Sequence, residues 1–234
     1  GAEEILLTGG DIEELHHFNG RTLLLEMERK NQPEAVQWLL DHGADPLMID
    51  NHEMNLWDMK FHKLIERIKP DDYAKFPELA DQLLANGAEI NQEDGHGYTP
   101  LHIAVMHGSN YMKSAYDDEF TSYSNEIVEY LIEHGADVNA QSNEVNANST
   151  PLHVACKVGD ASKVMVLLDA GADISIQDAE GKTASEQATD SFEITNISRY
   201  EQIANLIESF VEKQELEKRL SSKDETKQGK KQKI

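Results

Sequence analysis

Apolar positions recur at helical spacing along most of the chain, in short segments that alternate with polar turns. Four of these segments end in Gly: EAVQWLLDHG, ELADQLLANG, EIVEYLIEHG and SKVMVLLDAG. Apolar residues three and four positions apart form one face of a helix, and a terminal Gly supplies the left-handed conformation that closes a helix. Each of the four segments follows another apolar segment, so the pattern predicts pairs of short antiparallel helices.

Two of the first segments are near copies, TPLHIAVMHG and TPLHVACKVG. Thr99 and Thr150 suit the N-cap, where a hydroxyl accepts an orphan backbone N–H, and the Pro that follows each suits the first helical position. At the other end, Gly108 and Gly159 are expected to close the helices, and Asn31 takes the same place in an earlier segment.

The segments repeat at a fixed distance. The interval from Thr22 to Gly43 equals the interval from Thr150 to Gly171, and Gly171 is followed by Thr183 at the same distance as Gly87 is followed by Thr99. Added together, the two intervals give a unit of about 33 residues. One helix pair cannot bury its own apolar face, so we expect the units to stack into a continuous core.

The phrase T-P-L-H-x-A at this period resembles the ankyrin repeat, over about residues 10 to 210. The resemblance implies an all-α solenoid of about five stacked helix pairs joined by β-hairpin-like fingers. We expect the solenoid to occupy 1–212, with capping helices at 2–18. After Leu220 the sequence is too polar to fold alone, so 213–234 is expected to be a helix extension and a polar tail. The resemblance also implies that His102 and His153 hold neighbouring units together by hydrogen bonds.

Two units are longer than the period allows. In the first unit, the helix pair extends from Thr22 to Gly43. The matching interval in the second unit, from Met54 to Gly87, is as long as a whole repeat, and in the third unit, from Thr99 to Gly135, it is longer still. The second and third units therefore carry insertions that must leave the core as loops or added helix. The third-unit insertion, 109–124, holds residue types that anchor interfaces. The alternative is that these side chains pack back onto the solenoid; the candidates are Tyr111, Met112, Tyr116, Phe120 and Tyr123.

Charge narrows the function classes. The formal net charge of −23 repels phosphate backbones and attracts basic partners, so a protein partner with a basic surface is expected rather than nucleic acid. No apolar run is long enough to span a bilayer, and membrane insertion is not expected. Residues 213–234 reverse the sign, with a net charge of +4. A solvated tail, an address signal or a basic segment that folds onto the acidic solenoid all fit them.

No residues assemble a catalytic, cofactor or metal site. Cys156 is the only cysteine, which excludes a disulfide within the chain, and it is expected to be a small packed side chain. His42 and His134 precede helix-ending glycines, where an imidazole suits the helix C-terminus. The resemblance also implies two Asn positions similar to those that asparaginyl hydroxylases modify, Asn91 and Asn139; a structural role as turn residues is the alternative.

These observations predict a non-enzymatic adaptor or scaffold. It would be a monomer in the cytoplasm of a cell, or of a host cell into which an intracellular bacterium or virus delivers it. The alternative is the targeting arm of a larger enzyme whose catalytic domain lies elsewhere. First-helix ends and finger tips supply the remaining contact candidates: Phe61, His62, Met106, His107, Lys157, His96, Tyr98, Asn143 and Glu144.

Overall fold

The structure is a computed structural model that describes residues 12–13, 20–107, 118–143, 147–195 and 197–231. Helices dominate these ranges, and a 3₁₀ turn over Pro70–Lys75 joins two of them. The helices are α1 (Leu23–Arg29), α2 (Pro33–Asp41), α3 (Leu56–Arg67), α4 (Phe76–Ala85), α5 (Pro100–Met106), α6 (Asp118–Glu133), α7 (Pro151–Val158), α8 (Ala161–Asp169), α9 (Ala184–Thr195) and α10 (Ser198–Lys231).

Consecutive helices pair and the pairs stack, as the repeat predicted. The first helices pack in the order α1, α3, α5, α7 and α9, and α6, α8 and α10 pack on one another along the second layer. The buried side chains form two apolar clusters. The larger cluster spans the second to fifth units, and the smaller one belongs to the first unit. The half-buried Trp57 packs against both clusters. Nearly the whole core is therefore continuous, with a division between the first two units.

Local capping explains where the helices begin and end. The Thr150 hydroxyl accepts the His153 N–H at 3.4 Å, and Pro151 opens the helix that follows. Gly159 and Asn31 adopt positive φ angles of 74° and 55°, which confirms the predicted closing residues. Gly108 lies outside the described residues.

The second unit begins one residue later than the sequence spacing predicted. Asn55, rather than Met54, caps α3, and its side chain forms a reciprocal capping box with Asp58. A shift of one residue turns a helix by about 100°. It carries Phe61, predicted to be exposed, into the core, where the side chain is fully buried. The prediction for His62 is also wrong: α3 continues to Arg67 and keeps His62 only 4% exposed.

The fingers are tight hydrogen-bonded loops. Asp94 donates its backbone N–H to the Tyr98 carbonyl at 2.9 Å, and Ser142 does the same to Ser149 at 2.9 Å. In the described part of the chain, the only β pairing is a single bridge between Gln177 and Thr183. The fingers thus keep a hairpin-like path without forming strands.

The C-terminal helix is longer than composition predicted. The stretch after Leu220 is too polar to bury an apolar face, yet α10 continues to Lys231. The capping helices at 2–18 lie outside the described residues, apart from residues 12–13. Ile12 packs against the first-unit cluster, and the Glu13 carboxylate accepts the Asp45 backbone N–H at 2.6 Å.

Candidate protein-binding surfaces

The two histidines of the repeated phrase are structural. The His102 Nδ1 atom accepts the Thr99 backbone N–H at 3.2 Å, so the ring proton lies on Nε2, which donates to the Ser149 carbonyl at 2.9 Å. His153 makes the same pair of contacts with Thr150 and, in the next finger, with the Lys182 carbonyl at 3.1 Å. Burial lowers the pKa of both rings, and the carbonyl contacts oppose this only in part. Each neutral imidazole therefore joins a helix start to the following finger.

Finger asparagines make a second set of links between units. The Asn91 amide accepts the Asp137 N–H at 2.8 Å and donates to the Gly135 carbonyl at 3.1 Å. Asn139 accepts the Asp173 N–H at 2.8 Å. The structural role weighed for both residues is thus observed, and hydroxylation stays a prediction.

The remaining chemical candidates also have structural roles. Cys156 is fully buried, and burial raises the pKa of its thiol to about 12. His42 and His134 each donate Nδ1–H to the carbonyl four residues earlier at 2.7 Å, as expected for C-terminal capping. Within the described ranges, no three His, Cys, Asp or Glu side chains converge in a way that could hold a metal ion.

Lys163 is a buried structural side chain whose role sequence reasoning missed. It lies on α8 with no exposed surface, and its Nζ donates to the Val105 carbonyl at 2.9 Å and to the His107 carbonyl, with Asp160 Oδ2 3.5 Å away. These carbonyls stand at the C-terminal end of α5, immediately before the third-unit insertion. Lys163 therefore fixes the point from which the insertion leaves the solenoid.

The finger tips of the first three units enclose a polar cleft of about 520 Å³. Glu53 and Glu93 are exposed on it and make no hydrogen bond or ion pair through their carboxylates to a described residue. Asp94 also lines it, but one of its carboxylate oxygens accepts the His96 N–H at 2.8 Å and thereby holds the turn. We refer to this site as the finger cleft. Its free carboxylates can pair with a cationic side chain.

The fingers around this cleft touch closely. The Gln92 side chain donates to the His52 carbonyl at 2.9 Å and so joins the first two fingers. Gly97 has a φ of 74°, and a Cβ there would lie 2.5 Å from the Asn143 backbone nitrogen. A glycine is required at this position because the neighbouring backbone occupies the space of a side chain.

The sequence-predicted contact residues divide by exposure. Phe61 and His62 are buried and cannot contact a partner; Lys157 and His96 are exposed, and Met106, His107, Tyr98 and Asn143 are half-buried. The His107 ring lies edge-on to Tyr73, with centroids 6.5 Å apart. The insertion residues Tyr111, Met112 and Tyr116, and also Glu144, lie outside the described residues. Phe120 and Tyr123 fall on the first turns of α6, and their side chains lie outside the description.

Several known proteins match this chain at more than a third of the aligned positions. The palmitoyltransferase Hip14 of Drosophila melanogaster is 36% identical over 100 residues, which are 43% of this chain and 13% of that protein. Human ankyrin repeat and SOCS box protein 6 is 36% identical over 131 residues, 55% of this chain and 27% of that protein. A putative ankyrin repeat protein of fowlpox virus is 37% identical over 134 residues, 50% of this chain and 29% of that protein. The chain thus spans less than a third of the length of each of these relatives.

The family follows from the repeats themselves. No helix among the described residues is both long enough and apolar enough to cross a bilayer. A family model of three ankyrin repeats matches residues 73–178 and 119–208, and a model of a single ankyrin repeat matches residues 19–51. Ankyrin repeats are a non-catalytic protein-interaction module. The stacked helix pairs, the His links between units and these matches together show that the chain belongs to the ankyrin repeat family.

Proposed function

We propose that this chain is a non-enzymatic adaptor that holds a protein partner with a basic surface through the finger cleft and the concave face beside it. The observation that carries the proposal is the pair of exposed carboxylates, Glu53 and Glu93, on a cleft built from adjacent finger tips. Fingers and first helices of stacked units line one continuous face, so residues of several units can act on one partner. The net charge of −23 would speed the approach of such a partner.

The insertion 109–124 is the second part of the proposed contact surface. It leaves the solenoid at the end of α5, where Lys163 fixes the backbone. Its aromatic residues and Met112 are of the types enriched at interface anchors. A partner that binds there would be held at a defined position relative to the fingers, because the anchoring helix belongs to the packed core.

A displayed library of random peptides, selected against the chain, tests the finger cleft. We expect peptides rich in Lys and Arg to be enriched. We also expect Glu53→Gln combined with Glu93→Gln to weaken their binding by about three- to tenfold at low salt, since rim charges act mainly through electrostatic attraction. A matched control combines Glu34→Gln with Glu129→Gln, two exposed carboxylates on second helices. Equal losses in both double variants, or selected peptides without excess positive charge, would refute the cleft as the site.

A separate variant tests the insertion, with Tyr111, Tyr116, Phe120 and Tyr123 changed to Ala. A partner recovered with the parent chain should be lost or weakened, while the circular dichroism spectrum and the unfolding midpoint stay unchanged. Retention of every partner by the folded variant would remove the insertion from the proposed surface.

The second candidate function is a recruiting arm within a larger protein. It is favoured by the comparison with the palmitoyltransferase, of which this chain matches only 13%. The natural reading frame around this sequence distinguishes the two: a catalytic domain in the same frame supports the arm. The viral relative is consistent with a host-directed effector inside host cells, and that role stays a prediction, as does the expectation of a monomer.

A further inference from the structure

A second concave surface lies between α3 and α4, and it shares no lining residue with the finger cleft. It consists of two adjoining cavities of about 500 Å³ and about 420 Å³, which have Lys63, Leu64, Arg67 and Leu79 in common. We call this surface the unit-2 groove. It is long enough to follow three turns of α3, from Trp57 to Arg67.

The groove is open because the second unit is longer than the first. The helix α3 has 12 residues and α1 has 7, so the C-terminal turns of α3 continue beyond the helix against which they would pack. Among the described residues of the first unit, Asn31 alone lines the groove. The two apolar clusters of the core also meet at this junction, through Trp57. The sequence insertion in the second unit therefore leaves part of the helix faces uncovered by the rest of the chain that the structure describes.

The floor of the groove is apolar and has helical periodicity. Leu64 on α3 and Leu83 on α4 are half-buried, and Leu79 is 38% exposed, one turn before Leu83. Together the leucines of the two helices form an apolar surface against which the apolar face of an amphipathic helix can pack. The floor alone would not identify the occupant.

The rim of the groove identifies it by charge. Five cationic side chains line the two cavities: Lys60, Lys63, Arg67, Lys69 and Lys75. They have only two carboxylates as ion-pair partners among the described residues: Glu28, which lies 2.6 Å from Lys63 and 3.2 Å from Lys60, and Asp72, which lies 2.7 Å from Lys75.

The cationic side chains at the C-terminal end of α3 are in excess. Arg67 and Lys69 are exposed and form no salt bridge with a described carboxylate. This excess of positive charge is local, because the whole chain has 44 acidic residues and 21 basic ones. The groove is therefore a basic site on an acidic protein.

We propose that the unit-2 groove docks an acidic amphipathic helix of another protein, with apolar side chains on the leucine floor and carboxylates against Arg67 and Lys69. Most of the protein surface is acidic and repels an acidic segment. Attraction is therefore confined to the groove, and the field of the rest of the chain disfavours other binding positions. The site is independent of the finger cleft, which takes the opposite charge.

Fluorescence anisotropy with three labelled peptides, each about five helical turns long, tests this proposal on the full chain. The first peptide is helical, with Leu on one face and Glu on the rest; the second has the same composition in scrambled order; the third has Lys in place of Glu. We expect the first to bind and the scrambled peptide to bind at least about tenfold more weakly, since only the first presents an apolar stripe.

Two variants locate the binding. Arg67→Gln combined with Lys69→Gln should weaken the acidic helix by about three- to tenfold, and Leu79→Ser should weaken it by a similar factor, while the Lys peptide is unaffected. The matched control combines Lys157→Gln with Lys213→Gln, two exposed lysines on other helices with the same change in charge. It should leave affinity within about twofold.

Three results would overturn the proposal. If the scrambled peptide binds as tightly as the helix, the surface attracts anions without docking a helix. If inorganic polyphosphate displaces the helix completely at equal charge concentration, the groove is a site for phosphate polymers. If the groove variants and the control lose affinity equally, the attraction is not local. Because the acidic helix and the groove variants involve neither the finger cleft nor its basic ligands, failure of this proposal leaves the proposed adaptor function untouched.

Discussion

Replacement of Lys163 by Met should destabilise the solenoid where the third-unit insertion leaves it. The Lys163 ammonium is a buried donor for two backbone carbonyls, those of Val105 and His107. In the fourth unit the carbonyl that corresponds to that of Val105 belongs to Cys156, and it accepts a backbone N–H, from Gly159 at 3.1 Å. At the end of α5 the Lys163 side chain supplies the donor for the Val105 carbonyl.

The magnitude follows from the two carbonyls. A buried acceptor left without a partner costs about 1–3 kcal/mol, so two would cost about 2–6 kcal/mol. Met would relieve the cost of burying an ammonium group, which offsets part of the loss, since buried charges are expensive even when they are paired. We expect the free energy of unfolding to fall by about 2–4 kcal/mol.

Urea unfolding monitored by circular dichroism measures the change, with Lys157→Met as the matched control. Lys157 is exposed and makes no side-chain hydrogen bond to a described residue, so its replacement should shift stability by less than about 0.5 kcal/mol. Because repeat proteins can unfold in parts, hydrogen exchange at the amides of α5 and α8 should show the loss locally. A Lys163→Met protein as stable as the control would refute the capping role.

Alkaline pH gives an independent check on the same group. Burial lowers the pKa of Lys163, and the nearby Asp160 carboxylate opposes this. Between that lowered pKa and about 10.4, the unfolded chain binds the proton more readily than the folded protein. The stability of the parent relative to Lys163→Met should therefore rise as pH increases through this window. A constant difference would show that the amine titrates alike in both states.

Two further predictions concern the contacts between units. Acidification from pH 7.5 to 5.5 should lower the urea midpoint, because imidazole rings that bind a proton near pH 6.5 in the unfolded chain resist protonation in the folded protein. His102→Gln should reduce this pH dependence, and a midpoint that does not change with pH would contradict the assignment. The rings with a pKa lowered by burial are His62, His102, His107 and His153. Gly97→Ala should cost at least about 1 kcal/mol more than Gly181→Ala in the same assay. Both glycines have similar positive φ angles, but a Cβ has open space only at Gly181, so equal losses would argue against close finger contact.

Local signals made most of the scaffold predictable. The Thr caps, the closing Gly159 and Asn31, and the histidines at helix ends all act within a few residues, so their geometry follows from the sequence. The predicted start of the second unit was wrong by one residue because Asn55 and Asp58 stand where the third and fourth units have Thr and His. The N-x-x-D spacing of a capping box was present in the sequence and would have identified the start of α3.

Long-range partners were beyond this kind of reasoning. Lys163 reaches carbonyls at the end of α5, on the far side of the third-unit insertion, and a lone Lys in an apolar helix face gives no indication of that partner. The prediction from composition was also wrong at the C-terminus. Composition shows whether a segment can bury apolar surface, but a helix can form without burying any. Lys, Glu and Gln have favourable helix propensities, and the stretch after Leu220 contains no proline, so α10 can continue without a core to pack on.

The departures from the regular unit determine where the surface carries useful charge. Regular units place their turn carboxylates in backbone contacts, as Asp50 and Asp178 do in the fingers after the first and fourth units, so those groups are engaged inside the scaffold. The lengthened second unit instead adds cationic residues to an exposed helix end, and the carboxylates of Glu53 and Glu93 at the finger tips pair with no residue that the structure describes. A chain with a net charge of −23 thereby offers two concave surfaces of opposite sign. Long-range attraction favours basic partners, and only a local, shape-matched groove can recruit an acidic one, which would let a single small solenoid bring together two proteins of opposite charge.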